Sequence, residues 1–386
     1  MNKTKIAIFT TSRAEFGIFV PLLKELYNCN VFETLLFVGG AHLASELGKT
    51  INEIRNQNFQ ITATFDYLLN EDSAYSSLKS LSVETSELAL IFKEYNFDFV
   101  CVLGDRIELL PIVQASLIFN KPIIHLYGGE ISQGAIDEQV RHIATKASHL
   151  HFTACEEYAN NIRNMGEQNW RVFNVGGLGI DNFYNLKKIS KKDLFEKLNL
   201  DENKKTVLLT YHPVTNELKI TLDLQINNIF SALSNFNFQV VITSPNFEVD
   251  RNVIIDIINS TLITNNNYKY FESLGMLNYH SLLPHCEFVI GNSSSGIIEV
   301  PYYKIPTINI GDRQKGRLRH ESVIDTDYSV TSIKSGIEKA MSSEFRNKIQ
   351  NQELKFGDGN AAKKIVEILK NIKIDENLMR KKLEFE

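Results

Sequence analysis

The sequence predicts an α/β protein made of two doubly wound, Rossmann-like domains whose strand ends face each other across a cleft. Two observations lead to this prediction. Short apolar runs alternate with longer helical patterns along most of the chain, which is typical of parallel sheets covered by helices on both faces. The length of 386 residues corresponds to two or three domains at about 150 residues each.

The predicted strands are short apolar runs, and helical patterns separate them. In the first half the strands are Lys5–Thr10, Glu33–Val38, Asp98–Leu103, Pro122–Tyr127, His149–Phe152 and Arg171–Val175. The helices between them include Phe16–Tyr27, Leu78–Tyr95, Ile107–Phe119 and Ala135–Ala147. The second half repeats the alternation, with strands at Thr206–Tyr211, Gln239–Thr243, Phe288–Ile290 and Pro306–Ile310.

The boundary between the two domains is predicted between Gly176 and Asp201. This segment is rich in glycine and then in lysine and asparagine, a composition that suits a linker with one exposed helix. The predicted domains are therefore residues 1–185 and 186–360. Residues 361–386 are charged and carry apolar residues at helical spacing, so that they are predicted as a C-terminal helix.

Composition argues against several classes of protein. The net charge of −5 is unlike that of proteins that coat nucleic acids. No apolar stretch approaches the roughly 20 residues needed to cross a bilayer, and the run Ile6–Phe9 is too short for the core of a signal peptide. The scattered cysteines are typical of free thiols in a reducing compartment. We expect a cytoplasmic protein with neither a nucleic-acid nor a membrane partner.

Polar, charged and small residues collect directly after the predicted strands. In the first half these are Arg13, Glu15, Asp105, Arg106, Glu130, Asp137 and Glu138, and in the second half His212, Asn246, the segment Gly291–Gly296 and Arg313. Ligands of open parallel sheets bind outside the carboxyl ends of the strands. The spacing therefore predicts a ligand site at those ends in both halves.

The segment Gly291–Gly296, with the sequence GNSSSG, is the strongest candidate for an anion site. Small residues let the backbone approach a ligand, amides at a helix start point outward, and serine hydroxyls add donors. Arg313, Lys315, Arg317 and Arg319 follow the next strand and supply positive charge for phosphates. The alternative is a serine that only caps a structural helix. The chain has neither GxGxxG after its first strand nor GxxxxGK[ST], which disfavours dinucleotide oxidoreductases and P-loop NTPases.

The acids of the first half point to proton transfer, because burial in a closed cleft moves the pKa of a carboxyl toward neutrality. For two of them the spacing leaves a structural alternative. Asp137 and Arg141, and likewise Glu138 and His142, are four residues apart on a helix and would form surface ion pairs.

Two further residues also fit either a site or a structural role. Glu15 suits a stabiliser of a helix N-terminus as well as a site residue, and a strand-end histidine such as His212 is functional only in some proteins. His149 and His151, with His142 and Cys155 nearby, match no standard zinc spacing. No metal is therefore expected.

Taken in order, these motifs resemble one family. SRAEFG, GDR, HLYGGE, GAIDEQVRHIATKASHLHF, HPVT, GNSSSGIIEVP and INIGDRQKGR lie between Thr10 and Arg319, and similar motifs occur in the hydrolysing UDP-N-acetylglucosamine 2-epimerases of sialic-acid biosynthesis. The resemblance implies the glycosyltransferase-B architecture, with a C-terminal helix that packs back on the first domain. It also implies conversion of UDP-N-acetylglucosamine and water to N-acetylmannosamine and UDP, without a cofactor, and we expect a homodimer or homotetramer.

The resemblance also implies roles for individual residues. The nucleotide diphosphate would be held by Arg13, Arg106, His212, Asn246, Ser293, Ser294, Glu299 and Arg313. The sugar would be surrounded by Asp105, Glu130 and Asp137, with Glu138 in support, and His212 is a further candidate for catalysis.

One position departs from the family pattern. The residue two after His125 is an acid or a histidine in the family but is Tyr127 here, so that its acid-base task would shift to Glu130. The departure leaves open UDP- or GDP-linked N,N'-diacetylbacillosamine, the substrate of related enzymes in legionaminic-acid synthesis. A non-hydrolysing epimerase, a glycosyltransferase of the same architecture and a non-catalytic nucleotide-sugar-binding protein remain as alternatives.

Overall fold

The chain divides into two units, which a computed structural model describes for residues 3–45, 48–69, 73–132, 136–214, 220–245 and 250–384. Unit 1 comprises Met1–Glu130, Asp137–Tyr184 and Phe356–Glu386. Unit 2 comprises Ile131–Ile136 and Asn185–Lys355.

Unit 1 is built on a parallel sheet. Its described strands are β1 (Thr4–Thr10), β2 (Phe32–Gly39), β3 (Ile61–Phe65), β4 (Phe99–Leu103), β5 (Ile123–Leu126), β6 (Leu150–Thr153) and β7 (Val172–Asn174). They lie in the order β3-β2-β1-β4-β5-β6-β7 and pair in parallel. The order reverses between β1 and β4, and a reversal of this kind creates the crevice in which open sheets bind ligands.

Helices connect these strands, and apolar side chains fill the space between helices and sheet. The described helices are α1 (Arg13–Tyr27), α2 (Ile51–Asn56), α3 (Ala74–Glu94), α4 (Leu109–Ile118), α5 (Asp137–Ala147), α6 (Glu156–Asn164) and α7 (Leu178–Asn185). Phe9 and Phe37 stack in this core with their ring centroids 4.9 Å apart. Leu178–Asn182 of α7 is buried, so that this part of the predicted linker is not exposed.

Unit 2 repeats the same plan. Its described strands are β8 (Thr206–Thr210), β9 (Gln239–Thr243), β10 (Tyr268–Phe271), β11 (Cys286–Gly291), β12 (Thr307–Ile310) and β13 (Val323–Thr326). They lie in the order β10-β9-β8-β11-β12-β13, again in parallel. The helices are α8 (Lys191–Lys197), α9 (Leu222–Leu233), α10 (Arg251–Thr264), α11 (Gly275–Leu282), α12 (Ser295–Ile298), α13 (Val330–Met341) and α14 (Ser343–Ile349). The strand order reverses between β8 and β11.

The end of the chain belongs to unit 1. It forms α15 (Ala361–Asn371) and α16 (Glu376–Met379), so that the single helix predicted for this tail is interrupted at residues 372–375. The Asp181 carboxylate accepts the backbone N–H groups of Ala361 and Ala362 at 3.0 and 2.8 Å, which satisfies two donors at the start of α15. Helix α15 packs against α1.

The predicted fold class of two doubly wound parallel α/β units is confirmed, whereas the cleft between them stays a prediction. Three strands were not predicted from the sequence: β3, β10 and β13. All three lie at sheet edges and have several half-buried or exposed residues, so that they lack the continuous apolar run of a central strand. No helix among the described residues is long and apolar enough to cross a membrane.

Candidate functional site

A buried arginine on α5 joins several predicted acids of unit 1. The Arg141 guanidinium forms an ion pair with the Asp105 carboxylate. Its Nη1 donates to the backbone carbonyl of Glu130 at 2.7 Å and to Glu138 Oε2 at 3.3 Å. The Arg141 side chain is 1% exposed and that of Asp105 is 18% exposed, so that the arginine is enclosed while part of the aspartate meets solvent. One cation thereby holds the end of β4, the end of β5 and the first turn of α5 together.

The structure corrects the interpretation of Arg141 as a surface partner of Asp137, because the arginine is buried. The predicted pairing of Glu138 with His142 is confirmed at 3.3 Å. Glu138 therefore contacts both the buried Arg141 and the exposed His142. Asp137 is the first residue of α5 and is half-buried.

His125, which was not among the predicted site residues, supports the turn that carries Asp105. Its Nε2 lies 2.8 Å from the Gly104 carbonyl and its Nδ1 lies 3.3 Å from Thr145 Oγ1. A carbonyl only accepts, so Nε2 carries the proton and Nδ1 accepts from the threonine hydroxyl. Burial lowers the pKa of His125 to about 4, which keeps the ring neutral. The available signal was its place at the start of HLYGGE.

Glu130 follows a tight turn after β5 and is buried. Gly129 has φ +76°, and a Cβ there would lie 2.1 Å from the Tyr158 carbonyl oxygen, so that only glycine fits this approach to α6. Asn161 of α6 donates to the Gly129 carbonyl at 2.8 Å. At the position that departs from the family pattern, the Tyr127 hydroxyl accepts the backbone N–H of Gly179 at 2.9 Å and ties the end of β5 to α7.

The turn between β1 and α1 places Arg13 as the first residue of the helix. Glu15 Oε2 accepts the backbone N–H groups of Thr11 and Ser12 at 2.9 and 3.1 Å, which forms a capping box. The structural alternative for Glu15 is therefore the observed one. At the end of β4, Arg106 pairs with Glu108 at 2.9 Å.

In unit 2, His212 and Asn292 bind each other across the reversal of strand order. The His212 backbone N–H donates to Asn292 Oδ1 at 2.7 Å, and Asn292 Nδ2 donates to the His212 carbonyl at 2.9 Å. Both residues are buried. Gly291 makes this possible, because it has φ +136° and a Cβ there would lie 1.8 Å from the Thr210 carbonyl oxygen. Asn292 was not predicted as a site residue, although it belongs to the GNSSSG segment.

The serines of this segment precede a short helix. Ser293 is half-buried and Ser294 is the N-cap of α12, which has 4 residues. Ser295 Oγ donates to Glu299 Oε2 at 2.5 Å. Burial raises the pKa of Glu299, and the hydrogen bond from Ser295 opposes that rise.

The cations after β12 have different partners. Arg313 is buried and its Nη1 lies 3.4 Å from the Asn292 carbonyl, next to the serine segment. Lys315 pairs with Asp312 at 3.6 Å and Arg319 with Asp325 at 3.3 Å, while Arg317 donates to Ser132 Oγ at 3.1 Å. Two of the four predicted phosphate ligands are therefore already paired with carboxylates. Asn246 lies outside the described residues.

The described ranges contain no group of three or more histidine, cysteine, aspartate or glutamate side chains that could hold a metal ion. His149 Nδ1 accepts the backbone N–H of Ile123 at 3.1 Å, and His151 Nε2 lies 3.3 Å from Glu167 Oε2. The structural interpretation of these two histidines is confirmed.

Comparison with known proteins shows the family. The family model described as UDP-N-acetylglucosamine 2-epimerase matches residues 24–370. A GDP/UDP-N,N'-diacetylbacillosamine 2-epimerase (hydrolyzing) of Campylobacter jejuni is 36% identical, covering 97% of each chain. A UDP-N,N'-diacetylbacillosamine 2-epimerase (hydrolyzing) of Legionella pneumophila is 32% identical over 98% of each. The crystal structure of UDP-GlcNAc 2-epimerase from Neisseria meningitidis bound to UDP-GlcNAc has a TM-score of 0.78 at 21% identity, covering 95% of this chain and 100% of the other.

Proposed function

Because this chain belongs to the UDP-N-acetylglucosamine 2-epimerase family, we propose that it is a hydrolysing 2-epimerase that converts UDP-N-acetylglucosamine and water to N-acetylmannosamine and UDP. The observation that carries the proposal is the arrangement around Arg141, which joins the Asp105 carboxylate, the Glu138 carboxylate and the backbone of Glu130. An inversion at C2 needs more than one acid-base group, and this arrangement supports such a set.

The first step of the proposed reaction is an elimination. The C2 proton of the sugar is not next to a carbonyl, so that its direct removal is difficult. When the C1–O bond to the diphosphate breaks with its electron pair leaving as UDP, a carboxylate removes the C2 proton and the C–H pair forms the C1=C2 bond. The product is a 2-acetamidoglucal. Asp105 or Glu130 would be the base, and general base catalysis of this type contributes about 10²–10⁴-fold.

The second step adds water to the glycal. The hydroxyl joins C1 and a proton is returned to C2 on the face opposite to the one from which it was removed, which gives N-acetylmannosamine. Two proton-transfer groups on opposite faces of the ring are required. The second carboxylate of the pair, with Asp137 and Glu138 in support, would fill that role.

Unit 2 would hold the departing diphosphate. Ser293, Ser294 and Arg313 offer hydroxyl and guanidinium donors, and a preorganised donor to a developing anion is worth about 3 kcal/mol. The pairing of Asn292 with the His212 backbone would fix the loop after β8 beside them. We thus assign sugar chemistry to the acids of residues 1–185 and nucleotide binding to residues 186–360.

A second candidate substrate is an N,N'-diacetylbacillosamine linked to UDP or GDP. The names of the relatives that are 36% and 32% identical favour it. The presence of Tyr127 where the family has an acid or a histidine also favours an altered sugar subsite. Both candidates require the same elimination and hydration.

The test is incubation of the protein with UDP-N-acetylglucosamine and, separately, with UDP- and GDP-N,N'-diacetylbacillosamine in D₂O, followed by NMR. We expect a free 2-epimeric sugar with one deuterium at C2 and stoichiometric free nucleoside diphosphate. A nucleotide-linked epimer would indicate the non-hydrolysing reaction, and turnover only with an acceptor and without deuterium would indicate a glycosyltransferase. Binding without turnover of any of the three would contradict the proposal.

A further inference from the structure

A chain of hydrogen bonds in unit 2 leads from α11 to Glu299. The Tyr279 hydroxyl lies 2.5 Å from Ser295 Oγ, and Ser295 Oγ lies 2.5 Å from Glu299 Oε2. An ionised carboxylate only accepts and a serine hydroxyl has one proton. Ser295 therefore donates to Glu299, and Tyr279 donates to Ser295.

The environment of Tyr279 keeps it a donor. Burial raises the pKa of its hydroxyl, and the nearby Glu299 raises it further, so that the phenol stays protonated. Each member of the chain then has one defined direction, and short hydrogen bonds to a charged group are stronger than neutral ones. The chain fixes the rotation of the Glu299 carboxylate.

The second oxygen of that carboxylate remains available. Among the described residues, Glu299 Oε1 has no hydrogen-bond partner, and the glutamate is half-buried. A carboxylate repels a diphosphate, so the part of a nucleotide that it accepts from must be a neutral donor. The ribose hydroxyls are such donors on the sugar that carries the diphosphate.

We propose that Tyr279 and Ser295 are positioning residues that hold Glu299 so that its Oε1 accepts a ribose hydroxyl of the nucleotide. This inference rests on the proposed function, because it requires a nucleoside diphosphate at the GNSSSG segment. It extends the site by two residues that do not touch the ligand and act through Glu299. Because the ribose is remote from the reacting C1–C2 bond, the chain contributes to binding and not to the chemical step.

The test measures calorimetric affinities for UDP, 2'-deoxy-UDP and 3'-deoxy-UDP. We expect the wild-type protein to bind at least one deoxy analogue about 10-fold more weakly than UDP, the ratio for a lost hydrogen bond to a charged group. Tyr279→Phe and Ser295→Ala should weaken UDP binding by about 3–10-fold and leave the binding of that analogue nearly unchanged. In turnover assays they should raise KM with little change in kcat.

The controls separate positioning from damage to the fold. Ser295→Thr keeps the hydroxyl and should retain UDP affinity. Tyr303→Phe removes another phenol, one whose pKa Glu299 also raises but which is hydrogen-bonded to His280 Nδ1 at 2.8 Å, and it should retain the preference for UDP. Circular dichroism and thermal unfolding check that each variant is folded.

The outcomes are distinguishable. If the wild-type protein does not bind UDP, the proposed function fails. If it binds UDP and both analogues equally, or if Tyr279→Phe weakens all three ligands by the same factor, the positioning role is wrong while the proposed function stands. Unchanged UDP affinity in folded Tyr279→Phe and Ser295→Ala also overturns the inference.

Discussion

Among single residues, Arg141 has the largest influence on the candidate acids. A buried guanidinium is costly unless ion pairs and hydrogen bonds compensate it, and here Asp105, Glu138 and the Glu130 carbonyl do so. The acids are therefore both candidates for catalysis and partners that the fold requires. Substitutions that test their chemistry must keep their shape and their ability to accept a hydrogen bond.

Asp105→Asn and Glu130→Gln meet this requirement. Each should lower kcat by about 10²-fold or more, because a lost base acts in the transition state, while UDP affinity stays near that of the wild type. The variant that lacks the group removing the C2 proton should form no glycal, and the other should accumulate 2-acetamidoglucal and UDP. Product analysis by NMR distinguishes them, with UDP titration as the control. Turnover close to the wild-type value in both would transfer the role to Asp137 and Glu138.

Arg313→Ala should weaken UDP binding by about 1.5–3 kcal/mol, the usual loss for a hydrogen bond to a charged group. Arg313 is buried beside Asn292, whereas Arg319 on the same loop pairs with Asp325. Arg319→Ala is therefore the matched control and should bind UDP with nearly wild-type affinity. Calorimetric titration compares the two, and equal affinities would remove Arg313 from the site.

Glu84 on α3 predicts an unusual dependence of stability on pH. It is completely buried, and among the described residues neither carboxylate oxygen has a hydrogen-bond partner. Burial raises its pKa well above the ordinary value, and Glu108 and Glu15 add to that rise. A raised pKa favours the folded state at low pH and penalises it as the pH increases above about 4.5.

Glu84→Gln removes the charge at the same size. We expect the variant to be more stable than the wild type by about 1–3 kcal/mol at pH 8, with the difference shrinking toward pH 4. Urea unfolding at a series of pH values measures this. Glu87→Gln, a half-exposed position on the same helix, should change stability little at any pH. An equal effect of Glu84→Gln at pH 4 and pH 8 would disprove the explanation.

At the level of elements, the C-terminal tail is held to unit 1 by polar contacts. Arg171 donates to the carbonyls of Asn377 and Leu378 at 2.6 and 2.9 Å. Buried Glu167 pairs with Lys381 at 2.8 Å and with Lys146 at 2.7 Å. These contacts fasten α16 and the residues after it to the loop between α6 and β7.

Burial alone raises the pKa of Glu167, but hydrogen bonds from His151, Lys146 and Lys381 outweigh it and hold the pKa at about 2. A lowered pKa stabilises the fold above the unfolded value of about 4.3, and this contribution disappears as the pH falls toward 2. Glu167→Gln should therefore cost about 3 kcal/mol at pH 7 and progressively less below pH 4.5.

Chemical unfolding of wild type and Glu167→Gln between pH 3 and pH 7 measures that cost. Glu156→Gln is the control, because Glu156 pairs with Arg163 at 2.6 Å on the exposed face of α6, and exposed pairs are worth about 0–1 kcal/mol. The same small loss in both variants would mean that the Glu167 cluster does not anchor the tail.

For the whole molecule, the sequence predicted where polar residues follow strands but not which backbone groups they meet. Asp105, His212 and Ser294 were predictable because each follows an apolar run. The roles of Asn292 and His125 were not, since their partners His212 and Gly104 lie 80 and 21 residues away in the chain. Short-range patterns carry no information on such pairs, and only the strand order brings them together. Arg141 was misjudged because helical spacing does not reveal which side of a helix is enclosed.

We also expect the reaction to need no metal ion, since no suitable group of ligands lies in the described residues and the proposed elimination uses carboxylates and hydrogen-bond donors alone. Turnover should be unchanged after dialysis against EDTA. Loss of activity that one divalent ion restores would contradict this expectation, and the UDP affinity of the dialysed protein controls for damage.

The return of the tail to unit 1 has a consequence for synthesis on the ribosome. Helix α15 buries Ile365, Val366 and Leu369 and packs against α1, but it is translated only after all of Asn185–Lys355. At about 5–20 residues per second, unit 2 separates the two helices by roughly 10–30 s. During that interval the nascent unit 1 exposes the apolar surface that α15 later covers, while unit 2 is already complete when the helix emerges. Folding order is therefore reversed relative to chain order, and the first unit to begin is the last to close.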